Sequence, residues 1–199
     1  MARPAGFDRD EVLEKAMNAF WEQGYGATGV AELGAITQLN PGSLYGAFES
    51  KQKLFMATLE RYGTAGVERL QRALSSAPSP LEGIRSLFAT VAADVAGVHA
   101  DRGCLLVNTA LEIARHEEPV RELIKRYFRE IEGVLRLTLE RAQAQGEISQ
   151  DKDAGALAAF LILSIWGLRV LGATRPGHDQ ARLIVTQILS VLDGKGDVG

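Results

Sequence analysis

Apolar residues recur along this chain at three- and four-residue spacing, and the pattern predicts helices throughout. No alternating run of the kind that marks a strand is present, and no Asn-Gly or Asp-Gly hairpin signal. The first helix opens at Asp8 as N-cap, with Glu11 placed to complete a capping box and Phe7 and Val12 to form a hydrophobic staple. Val12, Ala16, Ala19 and Phe20 make its apolar stripe, and Gly24 ends it. Two short helices follow. One covers about 30–38, with Val30, Leu33 and Ile36 on one face; the other has Asn40 as cap, Pro41 at its first position, and Leu44 and Phe48 as its buried stripe. The turn between them, Gln38-Leu39-Asn40, is too short for the two to lie side by side, so they must cross steeply as a helix-turn-helix.

Six further helices are expected at about 51–74, 81–98, 103–115, 118–145, 151–174 and 178–192. The loop 75–80, Ser-Ser-Ala-Pro-Ser-Pro, is the most turn-like stretch. The expected fold class is all-α: an N-terminal three-helix helix-turn-helix domain over 1–50 and a six-helix ligand-binding and dimerisation domain over 51–199. Within the helix from Asp151 to Thr174, the segment from Ala154 to Ala173 is apolar nearly all round, which requires burial on every side. The last helix, from His178 to Leu192, shows the same tendency through Leu183, Ile184, Ile188, Leu189, Val191 and Leu192. Pairing both with their symmetry mates would make a four-helix homodimer interface.

Composition narrows the picture. The 199 residues are 46% hydrophobic and 24% charged, which excludes a disordered chain, and the net charge of −3 argues against a general polyanion binder. One cysteine excludes an internal disulfide and suits a reducing cytoplasm. His99, His116 and His178 are too scattered for a metal cage, so neither a metal nor a cofactor is expected. No signal-peptide pattern opens the chain. The stretch 154–173 is long enough to span a bilayer, but Arg169, three glycines and Ser164 favour a buried soluble helix and no membrane.

The second helix of a helix-turn-helix can enter a major groove. Its face away from Leu44 and Phe48 carries Pro41, Gly42, Ser43, Tyr45 and Gly46: small residues that admit close backbone approach, and hydroxyls that can donate to phosphates or base edges. Lys51 and Lys53 stand in the first turn of the next helix, where a cation opposes the macrodipole unless that helix end holds a phosphate. Residues 1–60 nevertheless carry five Lys and Arg against eight Asp and Glu, so each module should bind DNA modestly and act as a pair. Arg3 and Arg9 could reach the DNA backbone from the start of the chain.

Phe7-Asp8 leads a helix ending Phe20-Trp21-x-x-Gly24-Tyr25-x-x-Thr28, followed by Gly42-Ser43-Leu44-Tyr45-x-x-Phe48-x-Ser50-Lys51-x-x-Leu54. Over about residues 3–60 this resembles the TetR family of one-component bacterial regulators. The resemblance implies an all-α homodimeric repressor in the cytoplasm that binds a double-stranded DNA operator and responds to a small-molecule inducer. It implies that the helix from Pro41 to Phe48, capped by Asn40, is the recognition helix, and that Thr28, Tyr45 and Lys51 contact phosphates. The chain departs from the family pattern at Gln38, where glycine is usual, and at Pro41 and Ala47.

Other signals compete. Gly24-x-Gly26-x-x-Gly29 fits a dinucleotide fingerprint in letters, but a helix precedes it where a strand is required, so it is an interhelical turn. Cys104 stands near a helix start beside Arg102, two features that favour the thiolate, so it is a candidate sensor of electrophiles or oxidants; a small buried hydrophobe is the plainer alternative. Asn108, Glu112, Phe128 and Trp166 are candidates for a ligand pocket. Arg169, a lone cation in an apolar helix, calls for a carboxylate such as Glu112 or for an anionic ligand. Two further functions fit the same residues: an all-α enzyme with Cys104 as nucleophile and His99 as its only nearby base, or a dimeric scaffold with a vestigial DNA module.

Overall fold

A computed structural model of the protein describes residues 7–193. Among them are nine α-helices and no strand: α1 (Arg9–Gln23), α2 (Val30–Thr37), α3 (Pro41–Phe48), α4 (Lys51–Ser75), α5 (Pro80–Val95), α6 (Leu105–Glu112), α7 (Glu118–Ala144), α8 (Ala154–Gly172) and α9 (His178–Leu189). Single 3-10 turns follow α5, at Ala100–Arg102, and α9, at Ser190–Leu192. The expected helices are all present. The largest difference is α6, which is eight residues long rather than thirteen, because Gly103 takes φ +61° before it and the chain tightens into turns after Glu112.

Caps set the helix ends. Asp8 accepts the N–H groups of Asp10 and Glu11, Asn40 accepts that of Ser43, Ser79 that of Glu82, and Asp153 those of Gly155 and Ala156. Glu11 pairs with Lys15 at 2.7 Å, one turn along α1.

The chain divides into two compact units: residues 1–65 with 105–124, and residues 66–104 with 125–199. In the first, Phe20, Leu33, Leu44, Leu54, Phe55 and Leu59 are almost fully buried. Phe20 meets Phe55 edge-on at 4.8 Å, and Tyr25 packs on Phe55 at 4.8 Å. In the second, α5 is the central helix, contacting both α8 and α9, with Ile84, Phe88, Val91 and Val95 buried against Leu135, Leu139, Leu161 and Leu168. Gly172 admits the Ala100 carbonyl, which a Cβ at that position would meet at 2.8 Å.

The all-round apolar helix of the second unit is not enclosed. Only 22% of the most apolar window of α8 is buried, and Phe160, Leu163 and Val170 stand 43%, 60% and 53% exposed. Ala156, Phe160, Leu163, Gly167 and Val170 all lie on this open face, spaced four, three, four and three residues apart. Among the described residues α8 is the one helix long and apolar enough, by length and composition, to cross a membrane. Arg169 on α8 pairs with Asp94 of α5 at 2.8 Å.

Candidate nucleic-acid interface

The helix-turn-helix is built by two local devices. Gln38 caps α2 in the left-handed region, φ +60°, and its N–H reaches the carbonyls of Ala35 and Gly34. Glycine is usual at such a position because a side chain there is strained. Gly34 then lets the turn close. Leu39 N–H donates to the Gly34 carbonyl at 3.0 Å, and a Cβ on Gly34 would stand 2.9 Å from the Leu39 carbonyl. Asn40, Pro41 and Gly42 are exposed at the start of α3, Ser43 and Tyr45 are half-buried, and Leu44 and Phe48 anchor the helix inward.

Arg9 holds the far end of α3. Its guanidinium donates to the Ala47 carbonyl at 2.9 Å and lies 4.4 Å above the Phe48 ring. Arg9 itself is exposed, and Arg3 lies outside the described residues. The two lysines of α4 also have partners within the chain. Lys51 stands 4.3 Å above the Tyr25 ring, and Lys53 pairs with Glu49. Burial, with Glu117 and Tyr45 nearby, raises the Tyr25 phenol above the ordinary tyrosine range, so the ring beneath Lys51 is neutral.

Thr28 is 0% exposed, and its hydroxyl and N–H both donate to the Gly24 carbonyl, at 2.6 and 3.3 Å. Its side chain closes the α1–α2 turn. The glycine-rich segment is that interhelical turn, as its context required, and it carries an acceptor that no local pattern announced. The carboxylate of Glu112, the last residue of α6, accepts Tyr25 N–H at 3.0 Å and Gly26 N–H at 2.7 Å.

The candidate ligand residues fall in both units: Asn108 and Glu112 in the first, Cys104, Phe128, Trp166 and Arg169 in the second. Glu112 is engaged with the turn, Asn108 is exposed on α6, and Cys104 is half-buried directly before that helix. Phe128 and Trp166 stack with ring centroids 4.0 Å apart. Arg169 takes Asp94, not Glu112, as its carboxylate. A groove of about 560 Å³ in the second unit is lined by Gln71, Leu74, Val134, Leu137, Thr138 and Arg141, among others, and by none of the candidates. No group of three or more metal-ligating side chains occurs among the described residues.

These features define a class: an all-α protein that presents a helix-turn-helix with an exposed, small-residue second helix. The comparisons agree. Residues 12–58 match the model of the bacterial regulatory proteins of the tetR family, and residues 80–176 match the tetracyclin repressor-like C-terminal domain. The HTH-type transcriptional repressor ComR of Escherichia coli is 31% identical over 92% of this chain and 86% of its own. The uncharacterized regulator YezE of Bacillus subtilis is 28% identical over 97% of this chain and 100% of its own. Among solved structures, a cysteine mutant of the TetR family regulator CifR, complexed with 26-base-pair operator DNA, superposes with a TM-score of 0.85 at 31% identity, covering 96% of this chain and 100% of that one. The chain belongs to the TetR family of transcriptional regulators, and its relatives are repressors and regulators rather than enzymes. That removes the ground for the cysteine-enzyme alternative.

Proposed function

We propose that the protein is a homodimeric, cytoplasmic repressor whose α3 helices enter successive major grooves about 34–36 Å apart on a pseudo-palindromic operator. The observation that carries the α3 assignment is Gly46. Apart from its chain neighbours and its own helix backbone, no atom lies within 4 Å of where its Cβ would be, so packing within the chain does not require glycine there. Helix propensity alone would favour alanine by about 1 kcal/mol. A glycine on an open face, beside Gly42, Ser43 and Tyr45, suits a surface that a DNA backbone approaches closely. Asn40, Pro41, Gly42, Ser43 and Tyr45 form the contact set. Lys51 joins it by exchanging the Tyr25 ring for a phosphate. Thr28 acts through the turn.

Dimerisation through α8 and α9 is supported by the open stripe of α8. Its small members, Ala156 and Gly167, allow close approach, and Phe160, Leu163 and Val170 supply apolar area. A second copy of the chain is the natural cover for such a face in a TetR-family protein. Release from the operator is assigned to a small-molecule ligand of the helices behind α3 or to modification of Cys104. In CifR a cysteine mutant is seen on operator DNA, so the thiols substituted there are not what holds that protein to DNA. The same division is expected here.

The test is operator binding by purified protein to its own upstream intergenic sequence at two salt concentrations, with and without a thiol-reactive electrophile. Specific binding released by the electrophile, and retained by Cys104→Ala, supports the thiol route. Specific binding that ignores the electrophile leaves the ligand route. A protein that selects no sequence from a genomic library sinks the repressor reading.

A further inference from the structure

The α1–α2 turn is an anion seat already filled by the protein. Gly24 N–H donates to the Phe20 carbonyl and Thr28 N–H to the Gly24 carbonyl, while Tyr25 and Gly26 N–H turn to an acceptor from outside the turn. Glu112 supplies one oxygen to each. The glycines make room for it: a Cβ at Gly24 would stand 3.0 Å from Oε2, and one at Gly26 3.3 Å from Oε1. Gly24 also takes φ +86°, which a side chain rarely adopts. A carboxylate at the C-terminal end of a helix opposes that helix's dipole, so Glu112 is not placed there to stabilise α6. Close by, Gln52 in the first turn of α4 donates to Glu117 at 2.7 Å, so the chain just after α6 also grips the start of α4.

We propose that Glu112 is a positioning residue: its two charge-assisted hydrogen bonds hold the α1–α2 turn, and with it α2 and α3, in the arrangement that binds DNA. A movement of α6 that withdraws the carboxylate releases the turn and lowers the DNA-competent population. Glu112 is thereby removed from the ligand-contacting set. This rests on the DNA-binding reading above.

The experiment compares full-length wild type with Glu112→Ala and Glu112→Gln. It measures amide exchange of each segment, thermal melting, and affinity for a duplex that the wild type selects from genomic fragments. Glu112→Ala should speed exchange at Tyr25 and Gly26 tenfold or more and weaken operator binding tenfold or more. Protection in α7, α8 and α9 should be unchanged. Glu112→Gln should fall between, because an amide oxygen accepts one of the two N–H groups and its NH2 faces the other. Faster exchange at the turn with undiminished operator affinity overturns the proposal. So does unchanged exchange, and so does loss of protection throughout the chain, which would make Glu112 a residue of general stability. A wild type that selects no fragment fails the DNA-binding reading itself, a result distinct from a variant that binds as well as wild type.

Discussion

The two compact units satisfy their surfaces differently. The first encloses its aromatic core and meets its backbone with side chains both near and distant in sequence: Asp8 and Asn40 at helix starts, Arg9 at the end of α3, Glu112 on the α1–α2 turn. Apart from Leu111, 63% exposed, its large apolar side chains are not exposed. The second has the larger core, centred on α5, yet leaves Phe160, Leu163, Val170 and Leu183 in solvent, Leu183 at 71%. An isolated exposed leucine needs no explanation, but a heptad-spaced apolar stripe does. The first unit leaves a lone exposed leucine and a helix-turn-helix whose outer face is small and polar. The second is unfinished as a fold, and its missing cover is apolar.

The largest way to break this contrast is in the first core. Phe20→Ala removes a ring that is 1% exposed and packed on Phe55, and should cost about 3–5 kcal/mol of unfolding free energy by denaturant titration. A loss under about 1 kcal/mol would mean that the first unit is not held by this cluster. The complementary change is Leu163→Glu on the open stripe of α8. It should leave monomer helicity intact, convert the dimer to monomer by light scattering, and abolish high-affinity operator binding. A variant that stays dimeric would place the interface elsewhere.

Two substitutions on the helix-turn-helix separate folding from recognition. Gly46→Ala should raise stability by up to about 1 kcal/mol while weakening operator affinity. Tighter DNA binding by that variant would remove α3's open face from the interface. Gln38→Gly relieves the φ +60° strain and should stabilise the protein by about 0.5–1 kcal/mol without changing operator choice.

The smallest effect is electrostatic. Asp101 accepts a hydrogen bond from Arg175 at 2.9 Å, which lowers its carboxyl below the ordinary range. Its folded-state value is depressed, so the contribution is present above the unfolded value and lost as pH falls through the folded one. The melting difference between wild type and Arg175→Ala should be small at pH 7, because the pair is exposed, and should vanish on acidification. A difference that grows as pH falls contradicts the assignment.

Much of the fold was legible because it is local. Asp8, Asn40 and Gly24 mark helix ends by hydrogen bonds and dihedral preferences that act within four residues. The periodicity of Val12, Ala16, Ala19 and Phe20 correctly marked a buried face. Three features were not legible for the same reason in reverse: they join residues far apart in the chain. Nothing near Glu112 indicates that its carboxylate closes a turn 86 residues earlier, that Arg9 serves the Ala47 carbonyl, or that Arg169 meets Asp94 rather than Glu112. Helix periodicity says which face is apolar and not what covers it, so α8 read as a helix requiring burial, while only the packed chain shows its stripe left open. The sequence by itself determined the helices, their caps and the helix-turn-helix, through interactions one turn long. Tertiary structure alone decided the partners of charged side chains distant in sequence, Glu112, Arg9 and Arg169, because those partners are chosen by proximity in space.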